Sequence, residues 1–305
     1  MNKKKIIIDT DPGHDDALAI MLLAKSSVDI LAITTVAGNS TIERVTQNAA
    51  YILDLLKRKD ISLYSGKKAP LKRELVQAVV HGKSGLDGVD TTKIDYVLTG
   101  DADGQIIRLA RENPGQITLL TIGPLSNIAR AFQKEPNLSS LLKEMVIMGG
   151  AIDVSGNKNR VAEFNMFVDP EAADIVFRSE VKKTLIPLDV CNDIAFFLSD
   201  FEKLKGTKLY EPVINMMKRF IAGIEKYEGT KGALVYDAVA AYYVLNPKAF
   251  KIVPMDIVIE TKGEYTFGMT VAEKRMSERK NYNVFVVRQV DREAFVKDFF
   301  EILKK

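Results

Sequence analysis

Hydrophobic and polar positions alternate in blocks along the chain. Lys5–Asp9 is a short β-branched run, and Asp15–Ser26 places Ala17, Ile20, Met21 and Ala24 on one helical face. Asp29–Val36 reads as a second strand. Thr41–Lys59 reads as a second helix with an N-cap at Ser40 or Thr41, and Ile61–Tyr64 as a third strand. Residues 65–100 carry no period. The alternation then resumes with a helix over Asp103–Asn113, a strand over Gln116–Ile122, a helix over Leu125–Lys134 and a strand over Glu144–Met148. A long loop, 149–168, leads to a helix over Pro170–Arg178 and a strand over Lys182–Leu188. Helices near 199–205, 208–227 and 235–246 follow, then strands at 251–260 and 282–290 with a hairpin-like stretch between them, and a last helix over 291–304. Strand–helix alternation of this kind predicts the α/β class: a mostly parallel open sheet flanked by helices. No linker, repeat or low-complexity tract interrupts it, so residues 1–305 are expected to form one domain.

Composition narrows the function. At 305 residues, 47% hydrophobic and 27% charged, the chain is an ordinary globular sequence. The net charge of +3 is no signature of nucleic-acid binding. The basic cluster Lys57-Arg58-Lys59 reads as a solvated helix end. The single cysteine, Cys191, cannot form an intrachain disulfide and reads as a small core filler in a reducing compartment. The basic N-terminus is followed by only Ile6-Ile7-Ile8, short of the ~7–15 apolar residues of a signal peptide. No run approaches the ~18 apolar residues of a membrane span. The expectation is a cytoplasmic protein acting on a small molecule.

Ligands of open α/β sheets bind beyond the carboxyl ends of the strands. The first strand ends in Asp9-Thr10-Asp11-Pro12-Gly13-His14-Asp15-Asp16. One carboxylate suffices to cap a helix; four within eight residues repel one another unless a cation neutralises them. An all-oxygen donor set points to Ca²⁺ or Mg²⁺. An EF-hand fails, because its sixth and twelfth positions fall on His14 and Ile20 rather than Gly and Glu. A Mg²⁺-dependent phosphatase of the haloacid dehalogenase type, with Asp9 as nucleophile and Asp11 as acid/base, stays open on this segment alone. The second strand ends in Asn39, suited to a substrate hydroxyl. The turn after Ile122 exposes that residue's carbonyl to a cation. The 149–168 loop brings Asn157, Glu163, Phe164 and Asn165, a set of amides, an acid and an apolar ring that suits a sugar. Asp237 reads as a helix N-cap or as a further metal ligand.

Together these segments resemble the nucleoside hydrolases of the inosine–uridine-preferring type, over essentially the whole chain. The resemblance rests on the opening motif Asp9–Asp16, TVAGN at 35–39, GPLxN at 123–127, MGG at 148–150, AEFNxxxDPEAA at 162–173 and the acidic helix start at Asp237. It implies Ca²⁺-dependent hydrolysis of the N-glycosidic bond of purine or pyrimidine ribonucleosides to ribose and free base. It also implies Asp11, Asp16, Asp237 and the Ile122 carbonyl as calcium ligands, with Asp11 activating a metal-bound water. Asp15, Asn39, Asn157, Glu163 and Asn165 are implied as ribose contacts, and a homodimer or homotetramer as the assembly.

The sequence departs from the family at Tyr236, where members acting on inosine and uridine carry a histidine that helps to protonate the leaving base. A phenol is the weaker acid at neutral pH. His81 matches the family's other histidine and is expected as a base-side donor, so the catalytic set is Asp11, Tyr236 and His81. With no Trp in the chain, Tyr227, Tyr236 or Phe164 is left to stack on the base. His14 occupies a variable position of the motif and is assigned no role. The alternative class is a non-catalytic ribose or nucleoside binder that kept the metal site; the phosphatase is a distant third, lacking its downstream lysine and second acidic pair.

Overall fold

A computed structural model of the chain describes residues 3–94, 99–275 and 282–305. The strands are β1 (Lys5–Thr10), β2 (Asp29–Thr35), β3 (Ser62–Ser65), β4 (Ile117–Thr121), β5 (Glu144–Met148), β6 (Lys183–Ile186), β7 (Ala195–Phe196), β8 (Ala233–Leu234), β9 (Phe250–Met255), β10 (Ile257–Ile259), β11 (Thr270–Ala272) and β12 (Val284–Val290). The helices are α1 (His14–Ala24), α2 (Ile42–Leu55), α3 (Ala102–Glu112), α4 (Ser126–Lys134), α5 (Leu138–Leu141), α6 (Phe164–Val168), α7 (Pro170–Arg178), α8 (Leu188–Cys191), α9 (Leu198–Phe201), α10 (Tyr210–Glu228), α11 (Tyr236–Leu245) and α12 (Arg292–Lys304).

Eight strands form the central sheet in the order β3-β2-β1-β4-β5-β6-β12-β9. Every pairing is parallel except β12 with β9. Its central strands β1, β4, β5 and β6 are buried on both faces, as parallel sheets covered by helices require, while the antiparallel edge strand β9 is exposed along Lys251–Pro254. Along β1, Ile6 and Ile8 pack into one core and Ile7 into the other. The larger core gathers α1, α10, α11 and α12; the smaller one gathers α3, α4 and α7. Every residue of α1 is buried, as are Asp237–Val244 of α11. Two central helices that are apolar all round thus carry buried acids at their first turns.

Strand order reverses direction between β1 and β4, where the chain that built β1, β2 and β3 outward returns to the other side of β1. Loops diverge at such a point and leave a crevice above the carboxyl ends of the strands.

The expected elements form with local shifts. The second helix stops at Leu55 rather than Lys59, because Lys57 takes a left-handed φ of 55°. The run 251–260 is two strands, β9 on the central sheet and β10 paired with β11 in a separate ribbon. The hairpin-like stretch before β12 falls partly on 276–281, outside the described residues. The 149–168 loop is shorter than expected: α6 occupies its end, with the Glu163 carboxylate accepting from the N–H groups of Asn165 (2.9 Å) and Met166 (3.2 Å).

Candidate active site

The crevice holds the acidic turn. Asp11 follows β1 and is fully buried. Its Oδ2 accepts the backbone N–H of Asn39 at 2.6 Å, while its Oδ1 has no hydrogen-bond partner among the described residues. The backbone on either side is glycine for a steric reason. A Cβ on Gly123 would lie 2.7 Å from Asp11 Oδ1, and one on Gly38 would collide with Oδ2. Asp16, in the first turn of α1, accepts from Thr10 Oγ1 (2.5 Å) and the Gly13 N–H (2.9 Å). The Asn39 amide ties the pair together, donating to Asp16 Oδ2 and to the Asp11 carbonyl, each at 3.1 Å.

Asp15, Asp16 and Asp237 each offer a carboxylate oxygen within 4.8 Å of the others. Asp237 is not the N-cap of α11: that place is taken by Val235, and Asp237 sits in the first turn, directed at the cluster. Burial raises the pKa of all four acids. Repulsion from Asp16 adds to it at Asp11 and Asp15, and repulsion from Asp15, Asp16 and Asp11 adds to it at Asp237. The first turns of α1 and α11 offset only part of this cost. Four buried carboxylates, one with an orphaned oxygen, fit a hard divalent cation. The Ile122 carbonyl opens into the same space. It accepts the Asn165 amide at 3.3 Å, which also donates to the Met148 carbonyl at 3.3 Å.

Above the carboxylates lies a cavity of about 230 Å³, a little below the ~300–1,000 Å³ common for small-molecule sites. Asp15, Asn39, His81, Asn157, Glu163, Phe164, Asn165, Tyr236 and Asp237 line it, so all these expected site residues converge. Glu163 has a second tie, the Gly150 N–H at 3.0 Å, and Asn157 Oδ1 accepts the Phe164 N–H at 2.9 Å. Tyr236 donates its hydroxyl proton to Asn192 Oδ1 at 3.1 Å, and burial pushes its pKa further up. Cys191 is buried beneath it, 3.9 Å from the Tyr236 carbonyl, a core filler as expected.

Phe220 and Ile224, which the sequence reading did not single out, and Tyr227, named there as a residue to stack on the base, bring α10 over the cavity, and the unanticipated Lys158 and Glu228 stand at its wall. The i, i+4, i+7 spacing of the first three is indistinguishable from a core stripe. His14, assigned no role from the sequence, is completely buried and packs behind the cavity-lining His81. Its ring and that of His81 both stack on Phe220, with centroids 5.0 and 5.1 Å away.

A sequence profile described as inosine-uridine preferring nucleoside hydrolase matches residues 6–297. The chain is 37% identical over 299 residues to the pyrimidine-specific ribonucleoside hydrolase RihA of Salmonella paratyphi C, covering 95% of each protein. Among solved structures, the plant nucleoside hydrolase PpNRh1 superposes with a TM-score of 0.92 at 28% identity, over 99% of both chains. The purine-preferring ribonucleoside hydrolase from Gardnerella vaginalis superposes with a TM-score of 0.90 at 27% identity, over 99% of this chain and 98% of that one. Among the described residues no helix is long and apolar enough to cross a membrane.

Proposed function

Since the chain belongs to the inosine-uridine preferring nucleoside hydrolase family, we propose that it acts as one catalytic domain on pyrimidine ribonucleosides, splitting the N-glycosidic bond with water and releasing ribose and the free base. The pyrimidine preference is carried over from the 37%-identical relative. The carrying observation is Asp11, whose Oδ1 is buried and unpartnered next to Asp16, behind the residues that line the cavity. A nucleoside binder that kept the metal site would need that oxygen only as a metal ligand; a hydrolase also needs a carboxylate there to take a proton from water.

Asp11, Asp16, Asp237 and the Ile122 carbonyl would hold Ca²⁺, with Asp15 beside them. A bound Ca²⁺ supplies charge neutralisation for the cluster and acidifies a water in the site. Asn39 holds Asp11 by Oδ2, so Oδ1 is the atom left to accept the water's proton. Glycosidic cleavage passes through an oxocarbenium-like state with positive charge on the sugar. Asp15 and Glu163 place carboxylates on the cavity wall, where they stabilise that charge. Asn157 and Asn165 are held by backbone contacts, so their amides are pre-positioned for ribose hydroxyls. Phe164, Tyr227 and Tyr236 supply flat surfaces for the base. His81 lies on the same wall as a further substrate contact.

The test is chromatography of free base released from uridine, cytidine, inosine and adenosine, without phosphate, with and without a strong calcium chelator. Release from uridine and cytidine that the chelator abolishes is expected. No release from any of the four with calcium present overturns the proposal and leaves a nucleoside binder.

A further inference from the structure

Lys158 is the one lysine or arginine among the described residues that line the cavity, whose other polar walls are carboxylates and amides for the most part. It sits on a turn held from several sides. Its backbone N–H donates to the Ala162 carbonyl at 3.1 Å, and the Gly156 N–H donates to the Arg160 carbonyl at 3.3 Å. Asn159 Oδ1 accepts the N–H groups of Val161 (2.9 Å) and Ala162 (2.6 Å), while its Nδ2 donates to the Phe267 carbonyl at 3.1 Å. The Lys158 ammonium lies 5.6 Å from the centroid of the Phe164 ring and 5.9 Å from that of Phe167, within cation–π range. The protein itself thus sets the position of this cation.

What the ammonium lacks is an oxygen. Among the described residues no carboxylate pairs with it and no carbonyl accepts from it. Burial lowers its pKa, and no charged neighbour offsets the loss of water. Arg73, which shares a surface groove with Asn159 and Phe167, is the contrast. Its guanidinium stands 3.8 Å over the Phe267 ring, bonds both carboxylate oxygens of Glu171 and donates to the Thr261 carbonyl. A half-buried ammonium with three donors and only ring faces beside it fits an oxygen of a bound ligand.

The neighbours of Lys158 say which oxygen. Asn157 precedes it on the turn, and Glu163 and Asn165 flank Phe164; these are the ribose contacts of the hydrolase reading, so the ammonium stands on the sugar side of the cavity. The reacting carbon of the sugar belongs beside Asp11 and the other metal ligands, and hydroxyls near that end meet carboxylates. The arm of ribose that points away from the reacting carbon carries the 5′-hydroxyl. A phosphate in that place is disfavoured, because the carboxylates in and beneath the cavity outnumber its cations even with one divalent metal bound.

Resting on the hydrolase reading for its substrate, we propose that Lys158 is a specificity-determining residue whose ammonium donates a hydrogen bond to the 5′-hydroxyl of the bound ribonucleoside, so that the site selects nucleosides with a free 5′-hydroxyl over 5′-deoxy and 5′-phosphorylated ones. The two phenylalanine rings hold the donor in place, and the bond completes its surroundings once substrate is bound.

The experiment is titration calorimetry of the calcium-loaded protein with pseudouridine and with 5′-deoxypseudouridine, beside base release from uridine. Both ligands have a C–C glycosidic bond, so neither is consumed by N-glycosidic hydrolysis. Wild type should bind pseudouridine about 10- to 100-fold more tightly than the 5′-deoxy ligand, the scale of one hydrogen bond to a charged group. Lys158→Met keeps an apolar stem against the two rings and removes the donors. It should bind the two ligands alike, with the Kd of the 5′-deoxy ligand little changed from wild type. Lys158→Arg returns a charged donor and should recover part of the preference. Pseudouridine 5′-phosphate should bind wild type more weakly than pseudouridine does.

Equal Kd values for the two ligands in wild type, a Lys158→Met protein that weakens both to the same extent, or tighter binding of the 5′-phosphate overturns the proposal. A turn that was merely distorted would weaken both ligands together, so the comparison separates a structural role from recognition. Should Lys158→Met fail to fold, Lys158→Gln, uncharged and one atom shorter, serves the same comparison. Because these Kd values need no turnover, the expected pattern in a protein that leaves uridine intact refutes the hydrolase reading and not the role of Lys158. Base release from uridine with equal Kd values refutes the role of Lys158 alone.

Discussion

Replacing Asp11 by Asn separates catalysis from stability. The side chain keeps its shape, and the new amide has one way to sit: its carbonyl must take the Asn39 N–H that Oδ2 accepts at 2.6 Å. The NH₂ group then occupies the place of Oδ1, the unpartnered atom. A donor stands where a proton acceptor and a metal ligand are required. Losing a general base costs about 10²–10⁴ in rate, so kcat should fall about 10³-fold, or about 4 kcal/mol of transition-state stabilisation at 1.36 kcal/mol per decade. Folding should respond in the opposite sense. Asp11 is a buried acid whose pKa is raised by burial and by repulsion from Asp16. Removing its charge relieves the metal-free protein, whose melting temperature should match or exceed that of wild type. The assay is base release from uridine under saturating calcium, confirmed by calcium titration, beside thermal unfolding in chelator. A kcat within tenfold of wild type, or a metal-free variant that melts well below it, refutes the reasoning.

Gly123→Ala should act on Asp11 from the neighbouring strand end. Its Cβ would lie 2.7 Å from Asp11 Oδ1 at a backbone angle any residue adopts, so steady-state kinetics should show about a 10²-fold loss of kcat from misplacement, with unfolding little changed; unaltered kcat would contradict it. Asp11, Asp15 and Asp237 have folded pKa values above the ordinary 3.8, so the stability they contribute is present below about pH 4 and lost as pH rises. Thermal unfolding of the metal-free protein should therefore show a melting temperature falling from pH 5 to pH 8, and calcium should raise it more at pH 8 than at pH 5; a metal-free protein that gains stability over that range would sink the account. Asp9, whose carboxyl burial pushes to about 7, loses its contribution as pH climbs from about 4 to about 7. Asp9→Asn should thus stabilise the calcium-loaded protein at pH 8 by up to about 4 kcal/mol, and by less at pH 5, in urea unfolding; an equal effect at both pH values would exclude this origin.

What the sequence made legible follows from the range of the forces involved. The sheet could be read because β-branched runs and amphipathic helices alternate at short range, as in β1, α1 and β2. The acidic turn could be read because four carboxylates in eight residues have no inexpensive local explanation. Asn39, Glu163 and Asn165 could be placed because each stands next to a strand end or in a loop that a parallel sheet brings to one edge. His14 could not, since its partner is 67 residues away and its own segment shows only one more polar residue in a charged motif. The same holds for α10, whose Phe220 and Ile224 look like core until the fold turns that face over a cavity. The end of α2 was missed for a local reason: Lys57 adopts a left-handed conformation that favours Gly or Asn.

The remaining question of chemistry is where catalysis is concentrated. Help to a departing base requires a donor with a proton to spare, and Tyr236 does not offer one in this geometry. The Tyr236 hydroxyl already donates to Asn192, and burial holds it further from ionisation. The sugar side is differently equipped, with Asp11 aimed by Asn39 and with Asp15 and Glu163 on the cavity wall. Stabilising positive charge on ribose and delivering an activated water both draw on carboxylates, and these are what the fold has paid to bury. On the proposed mechanism the glycosidic bond would be broken by making the sugar a better cation more than by making the base a better leaving group. Substrates should then rank by the intrinsic ease with which their base departs, and substitution of Tyr236 by Phe should leave that ranking unchanged.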